Sequence, residues 1–420
     1  MTWLAIPGLV ILALLGLPLF VVLAGGSLLA AYNGGLDPAV LIVELYRLAN
    51  QPYLAAIPLF TLAGVVLSAG GAPQRMVQLF NAMVGWMPGG MAAVALASCA
   101  FFTAFSGGSG VTILALGGLM FPMLLHAGYQ ERFTLGLLTT SGSIGLLFAP
   151  SLAILLYGIV AGVSIDQMFL AGLLPGILLL VILALYSFYS GYRTSVPHHH
   201  FSWQKLTQAL RQSIWDLLLP VGVIVGIFGG FITVTEAAAG TAVYVFILEG
   251  LIHHDLRLSK HLFELLRDTV VLVGAILIIL GIAMGLTNLL IDAQVPMLLL
   301  DWMQENIHSQ LHFLILLNIF LLIVGCMMDI FSATVVIVPL ILPIAKQYGV
   351  DPIHLGVLFL ANLEIGYSTP PVGINLFIAS QRFSRPVLSL FRAALPFLAL
   401  MLVWLIMVTY IPEISLWWRD

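Results

Sequence analysis

Long apolar runs separated by short polar ones set the rhythm of this chain. Charge-poor runs long enough to cross a bilayer as helices fall at 3–32, 53–70, 86–105, 133–163, 167–191, 213–232, 235–252, 269–291, 311–327, 353–381 and 388–412. Two further apolar segments, 105–127 and 327–347, are interrupted by Gly, Ser, Asp or Pro. They read as re-entrant hairpins with tips inside the membrane. Segments 36–51 and 293–307 mix apolar and polar residues as interfacial helices do. The pattern predicts an all-α polytopic membrane protein of about 11–12 transmembrane helices plus two re-entrant hairpins.

The interruptions occur twice. Phe105–Ser151 and Cys326–Val372 register without a gap when one is shifted by 221 positions. Pro122 then falls on Pro343, Gly128 on Gly349, Ile144 and Gly145 on Ile365 and Gly366, and Pro150 on Pro371. Few other letters match, but glycine and proline decide where a helix breaks. Matching breaks in two halves of a membrane chain point to a transport site. The chain therefore divides into a first repeat, 1–192, a linker, 193–212, and a second repeat, 213–420. The hairpins and the broken helices 133–163 and 353–381 form the transport unit, and the flanking spans form the scaffold.

Composition narrows the class. Hydrophobic residues make up 61% of the 420, charged residues only 8%, and mean hydropathy is +1.12, which excludes a soluble domain of this size. The runs are too long for a membrane β-barrel. A net charge of −4 offers no nucleic-acid footprint. Cys99 and Cys326 lie in apolar contexts and suggest no disulfide or metal cage. The first run, Trp3 to Tyr32, is too long for a signal-peptide core and reads as a retained span. Arg193, Lys205 and Arg211 in one loop, and Arg257, Lys260 and Arg267 in another, place both loops in the cytoplasm. The runs give six crossings from 133–163 to 353–381. Inverted repeats need an odd number, so hydropathy leaves open a parallel arrangement or one miscounted span. His198, His199 and His200 in the linker read as a solvated loop in preference to a metal site.

Candidate chemistry sits at the breaks. Phe105 to Thr112 holds three glycines and three hydroxyls, which open the helix and free hard oxygen donors for a small cation. Close packing through small residues is the alternative. Asp329 and Glu364 are carboxylates inside apolar sequence, each a functional candidate or the cap of a broken helix. Ser368-Thr369-Pro370-Pro371 and Phe148-Ala149-Pro150 free further carbonyls, and with the Thr369 hydroxyl they complete an oxygen cluster suited to sodium. Arg47, beside Glu44, is either a snorkelling interfacial arginine or a substrate or partner contact. Glu236 reads as part of a helix cap. Gly107-Gly108-Ser109-Gly110 also satisfies the pattern of a rhomboid-type intramembrane serine protease using Ser109. His126, His308, His312 and His354, which would have to activate it, all fall at or near loops.

Taken together, these motifs form a recognisable set. Met328-Asp329, Pro339-x-x-x-Pro343-Ile-Ala-Lys-Gln-Tyr-Gly-Val-Asp-Pro352 and Asn362-Leu-Glu-Ile-Gly366 through Thr369-Pro-Pro-Val-Gly-Ile-Asn375 carry the second half. Phe105-Ser-Gly-x-Ser109, Ala56-Ile-Pro-Leu-Phe-x-Leu-Ala-Gly64 after Arg47, and Leu219-Pro with Thr235-Glu-Ala-Ala carry the rest. In these the chain resembles, over nearly its whole length, the large membrane subunit of tripartite ATP-independent periplasmic (TRAP) transporters. The resemblance implies an elevator-type carrier with inverted repeats in the bacterial inner membrane. It implies sodium as coupling ion, no organic cofactor, and an organic acid such as a dicarboxylate or sugar acid as substrate. It also implies two partners, a small membrane subunit and a periplasmic substrate-binding protein. Carried onto this chain, sodium would sit on Ser106, Gly108 and Ser109 with Gly142 and Gly145, and on Asp329 and Ser332 with Gly366 and Thr369. The substrate would lie between the tips on Ser106, Gly107, Met328, Asp329 and Asn362. Two departures fall in the first site: Ala149 replaces the first proline of a Pro-Pro pair, and Gly110 stands where a second serine is usual. A proton-coupled carrier or a channel is the alternative reading.

Overall fold

The computed structural model describes residues 8, 17, 19–34, 37–51, 53–193, 201–256, 258–294, 298, 307 and 309–419. The start of the first expected span, the His198–His200 triplet and most of the 293–307 segment lie outside the described residues. All regular structure among the described residues is helical. In chain order the helices are α1 (Leu19–Gly34), α2 (Ala39–Ala49), α3 (Ala56–Ala69), α4 (Ala72–Val84), α5 (Gly90–Ser106), α6 (Ser109–His126), α7 (Glu131–Ser141) and α8 (Leu152–Ala161). They continue with α9 (Ile165–Arg193), α10 (Trp203–Phe228), α11 (Val234–Ile247), α12 (Leu258–Asp292), α13 (Gln310–Met327), α14 (Ile330–Gln347), α15 (Pro352–Gly366), α16 (Ile374–Phe383) and α17 (Val387–Tyr410).

The 221-residue repeat is carried by the backbone itself. α6 and α14 begin and end at equivalent positions. Both close on a left-handed glycine, Gly128 (φ +94°) and Gly349 (φ +74°). The bonds around that glycine also match: Tyr129 N–H donates to Leu124 O at 3.1 Å, and Val350 N–H to Ala345 O at 2.9 Å. This is the hydrogen-bonded helix end that a left-handed residue permits. The peptides before Pro150 and Pro371 are both cis, including the one where Ala149 replaces proline. Pro175 inside α9 and Pro396 inside α17 are equivalent as well.

Packing crosses between the repeats in reciprocal pairs. α6 lies on α16 while α14 lies on α8, and α7 lies on α17 while α15 lies on α9. Trp404 of α17 fixes one such contact by donating to Pro175 O of α9 at 2.9 Å. Outside this core, α12 packs on α1, α2 and α3, and α11 on α3 and α10. α3 and α4 bridge the two groups: both touch α5, and they bend by 72° at Gly70-Gly71.

Several expected boundaries move. Among the described residues eight helices are long and apolar enough to cross a bilayer, or ten if each bent pair is one span, against the 11–12 expected. The run 53–70 is one arm of the bent α3–α4 pair. The runs 86–105 and 311–327 are α5 and α13, the first arms that lead into the breaks, so 105–127 and 327–347 hold only the tips and second arms. Apolar helices of 17 and 18 residues read as spans by length alone. α10 begins at Trp203, inside the 193–212 stretch, where Ser202 caps it and its hydroxyl accepts from Lys205 N–H at 3.5 Å. In the stretches 133–163 and 353–381, α7 and α8 flank a bend of 46°, and α15 and α16 flank residues 367–373.

Candidate functional site

The first break is two residues long. α5 ends on Gly107, whose left-handed backbone (φ +65°) is cheap only for glycine, and Gly108 is extended before α6 begins. A side chain at Gly107 would run into Leu152 of α8, so the tip is seated on the broken helix. Around it lies a buried oxygen cluster. Thr103 Oγ1 donates to Gly142 O at 2.7 Å and lies 2.7 Å from Thr112 Oγ1. Ser106 Oγ is 3.4 Å from both Thr112 Oγ1 and Gly108 O. Three hydroxyl protons thus serve three hydroxyl and two carbonyl oxygens, leaving lone pairs in excess. Gly145 lets α5 approach, since a Cβ there would collide with Ala100 O and Thr103. Gly110, where a serine was expected, lets Ile378 of α16 pack against α6. Ser106, Gly107, Gly108, Gly142 and Gly145 are therefore brought together, with Ser109 buried at the start of α6 and its carbonyl beside Gly142. Thr112, the third hydroxyl of the Phe105 to Thr112 stretch, joins them, as does Thr103, which in sequence looks like an ordinary small residue of an apolar run.

The second break uses a carboxylate where the first uses glycine. α13 ends in extended Met328, and Asp329 caps α14: its Oδ1 accepts from Phe331 N–H and Ser332 N–H, both at 3.0 Å. The Ser332 hydroxyl donates to Oδ2, and Ile330 N–H donates to the Tyr367 hydroxyl, buried in the unwound stretch after α15. That stretch is pinned to α13, because Val372 and Gly373 N–H both donate to Cys326 O at 3.2 and 2.9 Å. Gly366 and Gly325 let α15 and α13 touch backbone to backbone. Thr369 Oγ1 turns inward to Ile365 O at 3.0 Å. Tyr367 carries no sequence signal beyond its place beside the break.

Where α7 and α15 end, Ser143 Oγ lies 3.5 Å from Glu364 O. The Glu364 side chain is fully buried, and both carboxylate oxygens lack a hydrogen-bond partner among the described residues. Ser141, Ser368 and Asn375 also hold buried polar atoms without partners. Asn362 turns the other way: it donates to Asn318 of α13 at 2.7 Å, and Asn318 donates to Thr409 of α17 at 3.1 Å. The Asn362 amide nitrogen makes this helix-to-helix contact, while its buried Oδ1 has no hydrogen-bond partner among the described residues. Arg47 is exposed on α2, 3.7 Å from Glu44 and apart from both breaks. No histidine is hydrogen-bonded to Ser109 among the described residues; His126 and His254 bond carbonyls of their own segments, and His312 bonds Ser309.

A second charged centre escaped the sequence reading. Arg75 of α4 makes a two-pronged contact with Asp216 of α10 (2.7 and 3.0 Å) and also binds Glu249 and Asp255. Glu249 accepts from Gly71 N–H at 3.1 Å, inside the α3–α4 bend, where a side chain at Gly70 would displace it. Burial, with Arg75 as a second cause, holds the nearby His253 imidazole below its ordinary range. The partners of Arg75 lie 141 to 180 residues away, so only the isolated charges were visible in the sequence.

Residues 6–414 match the family described as "Tripartite ATP-independent periplasmic transporter, DctM component". A C4-dicarboxylate TRAP transporter large permease from Pseudomonas aeruginosa is 36% identical over 380 residues, 90% of this chain and 88% of that protein. An ectoine TRAP transporter large permease from Halomonas elongata is 30% identical over 100% of this chain and 99% of its own length. The fold is shared with the crystal structure of the Alcanivorax borkumensis YdaH transporter, with a TM-score of 0.63 at 14% identity over 90% of this chain and 88% of that one. The relatives are permeases by name, not enzymes, and the chain belongs to the DctM-component family of TRAP transporter large permeases, multi-span proteins of the bacterial inner membrane.

Proposed function

We propose that this chain is the carrier of a sodium-coupled, elevator-type uptake system for an organic acid. It works with a small membrane subunit and a periplasmic binding protein, as a tripartite family implies. The observation that carries the reading is the pair of helix breaks, repeated at 221 residues, each gathering oxygen donors between a tip and a broken helix. At the first, Thr103, Ser106 and Thr112 with the Gly108 and Gly142 carbonyls offer a neutral, hard-oxygen set that fits a small cation. At the second, Asp329, Ser332 and Tyr367 add a negative charge. The relatives named for C4-dicarboxylates support a carboxylate substrate, which Ser106, Gly107, Met328, Asp329 and Asn362 would receive between the tips.

In this reading sodium matters through its preference for one state. A ligand with equal affinity for two conformations moves neither, so the cation must hold the tips closed more strongly in the loaded carrier. α5–α8 and α13–α16 then move as one body against α10–α12. Uptake of labelled organic acids into proteoliposomes holding the chain with both partners tests this. Uptake that needs an inward sodium gradient and is lost in Asp329→Ala is the expected result. Uptake driven equally by a proton gradient alone overturns the sodium assignment, and Ser109-dependent proteolysis would overturn the carrier reading.

A further inference from the structure

Between α4 and the start of α10 lies a cleft of ≈ 270 Å³ that neither helix break uses. Its polar lining is Lys205, Gln78, Asn81, Gln208, Gln212 and Ser202, with no carboxylate. None of the four carboxamides, nor the ammonium, has a side-chain hydrogen bond or ion pair among the described residues. Trp86 and Phe201 form one wall, edge to face with ring centroids 5.9 Å apart, and Trp203 packs on Phe201 at 5.0 Å. Such exposed aromatic groups mark the depth of lipid headgroups. Arg193 and Arg211 nearby make this the cytoplasmic side, where anionic lipids attract basic residues. From the cleft, α10 presents an exposed apolar stripe of Leu210, Ile214, Leu218, Val221 and Val225, spaced by three or four residues as one helix face.

We propose that this cleft binds the headgroup of an anionic phospholipid of the inner leaflet, with its acyl chains on the α10 stripe. Lys205 pairs with the phosphodiester. The carboxamides, which both donate and accept, suit a headgroup bearing hydroxyls, such as phosphoglycerol. A choline or ethanolamine cation finds no carboxylate here and meets Lys205 as a like charge. The occupied cleft ties α4, and through it the α3–α4 bend, to α10.

The test is the melting temperature of the full chain in neutral detergent, titrated with phosphatidylglycerol, phosphatidylcholine or inorganic phosphate. Phosphatidylglycerol alone should raise it saturably, with a half-point roughly five- to tenfold higher in Lys205→Gln. Gln212→Leu, which keeps the charge, should shift the half-point in the same direction. The same rise with phosphatidylcholine overturns the headgroup assignment, and the same rise with inorganic phosphate makes this a soluble-anion site. Equal titrations of wild type and both variants, or no rise at all, overturn the proposal.

Discussion

Ser143 Oγ lies 3.5 Å from the Glu364 carbonyl, and the two residues occupy the same position in the two repeats. A residue meets its own counterpart only near the axis that relates the copies. The α7 and α15 ends therefore mark the pseudo-two-fold axis, and the Glu364 carboxylate, without a partner among the described residues, stands next to it.

Glu364→Gln should fold at least as stably as the wild type. An ionised carboxylate in this surrounding is costly, and the amide keeps the shape without the charge. Glu364→Lys should fail to accumulate in the membrane. Thermal melts of the purified variants check both, and a clear loss of stability in Glu364→Gln would show that the charge is paired after all.

Asp329 serves as helix cap and as candidate cation ligand, and two substitutions separate the roles. Asparagine caps about as well as aspartate, whereas alanine loses roughly 0.5–2 kcal/mol. Asp329→Asn should melt near the wild type yet need a higher sodium concentration for half-maximal uptake. Asp329→Ala should lose both properties. Equal sodium dependence in Asp329→Asn and wild type would leave only the cap.

Gly107→Ala should cost about 1–2 kcal/mol for the left-handed backbone, plus the displacement of Leu152. The injury is local to the first tip. The variant should therefore reach the membrane and bind its small subunit, while uptake falls well below wild type.

Arg75→Ala leaves three carboxylates facing one another and should destabilise the chain by about 3–5 kcal/mol. Removing Glu249 as well should recover part of that loss, as coupled neighbours do. Chemical denaturation of the single and double variants measures the coupling; strict additivity would mean the charges act separately.

The His253 ring near this cluster titrates in the favourable direction for a pH test. Its value is lowered in the folded chain, so the unfolded chain takes up the proton first. Its contribution should be whole above the ordinary histidine value of about 6.5 and fall as pH drops below it. Melting temperature against pH should decline less on the acid side in His253→Gln.

What could be read from the sequence follows from which residues dictate backbone shape. Gly107, Gly128, Gly349, Pro150 and Pro371 announce the breaks and turns at fixed spacing, and the structure puts each break there. α5 and α13 are apolar helices of 17 and 18 residues that lead into the breaks, and length and apolarity alone do not say that a helix is followed by a hairpin. α10 starts at Trp203 because one face of its polar first turns still packs on α4. Thr103 stayed hidden, since a hydroxyl one turn from a break acts only once the helices cross. The Asn362 contact with Asn318 of α13 could not be read from the sequence, because it needs two helices to meet. The Arg75 cluster needed tertiary pairing altogether.

The crosswise seating of α6 on α16 and α14 on α8, and of α7 on α17 and α15 on α9, bears on how the protein is made. The first half leaves the ribosome with α6, α7, α8 and α9 lacking their partners, which lie more than 150 residues further along the chain. Its core closes only after the second half has entered the bilayer. Until then its freed backbone groups and buried hydroxyls need temporary cover from lipid headgroups, water or insertion factors. A truncated first half should accumulate poorly alone and be rescued when the second half is supplied as a separate chain.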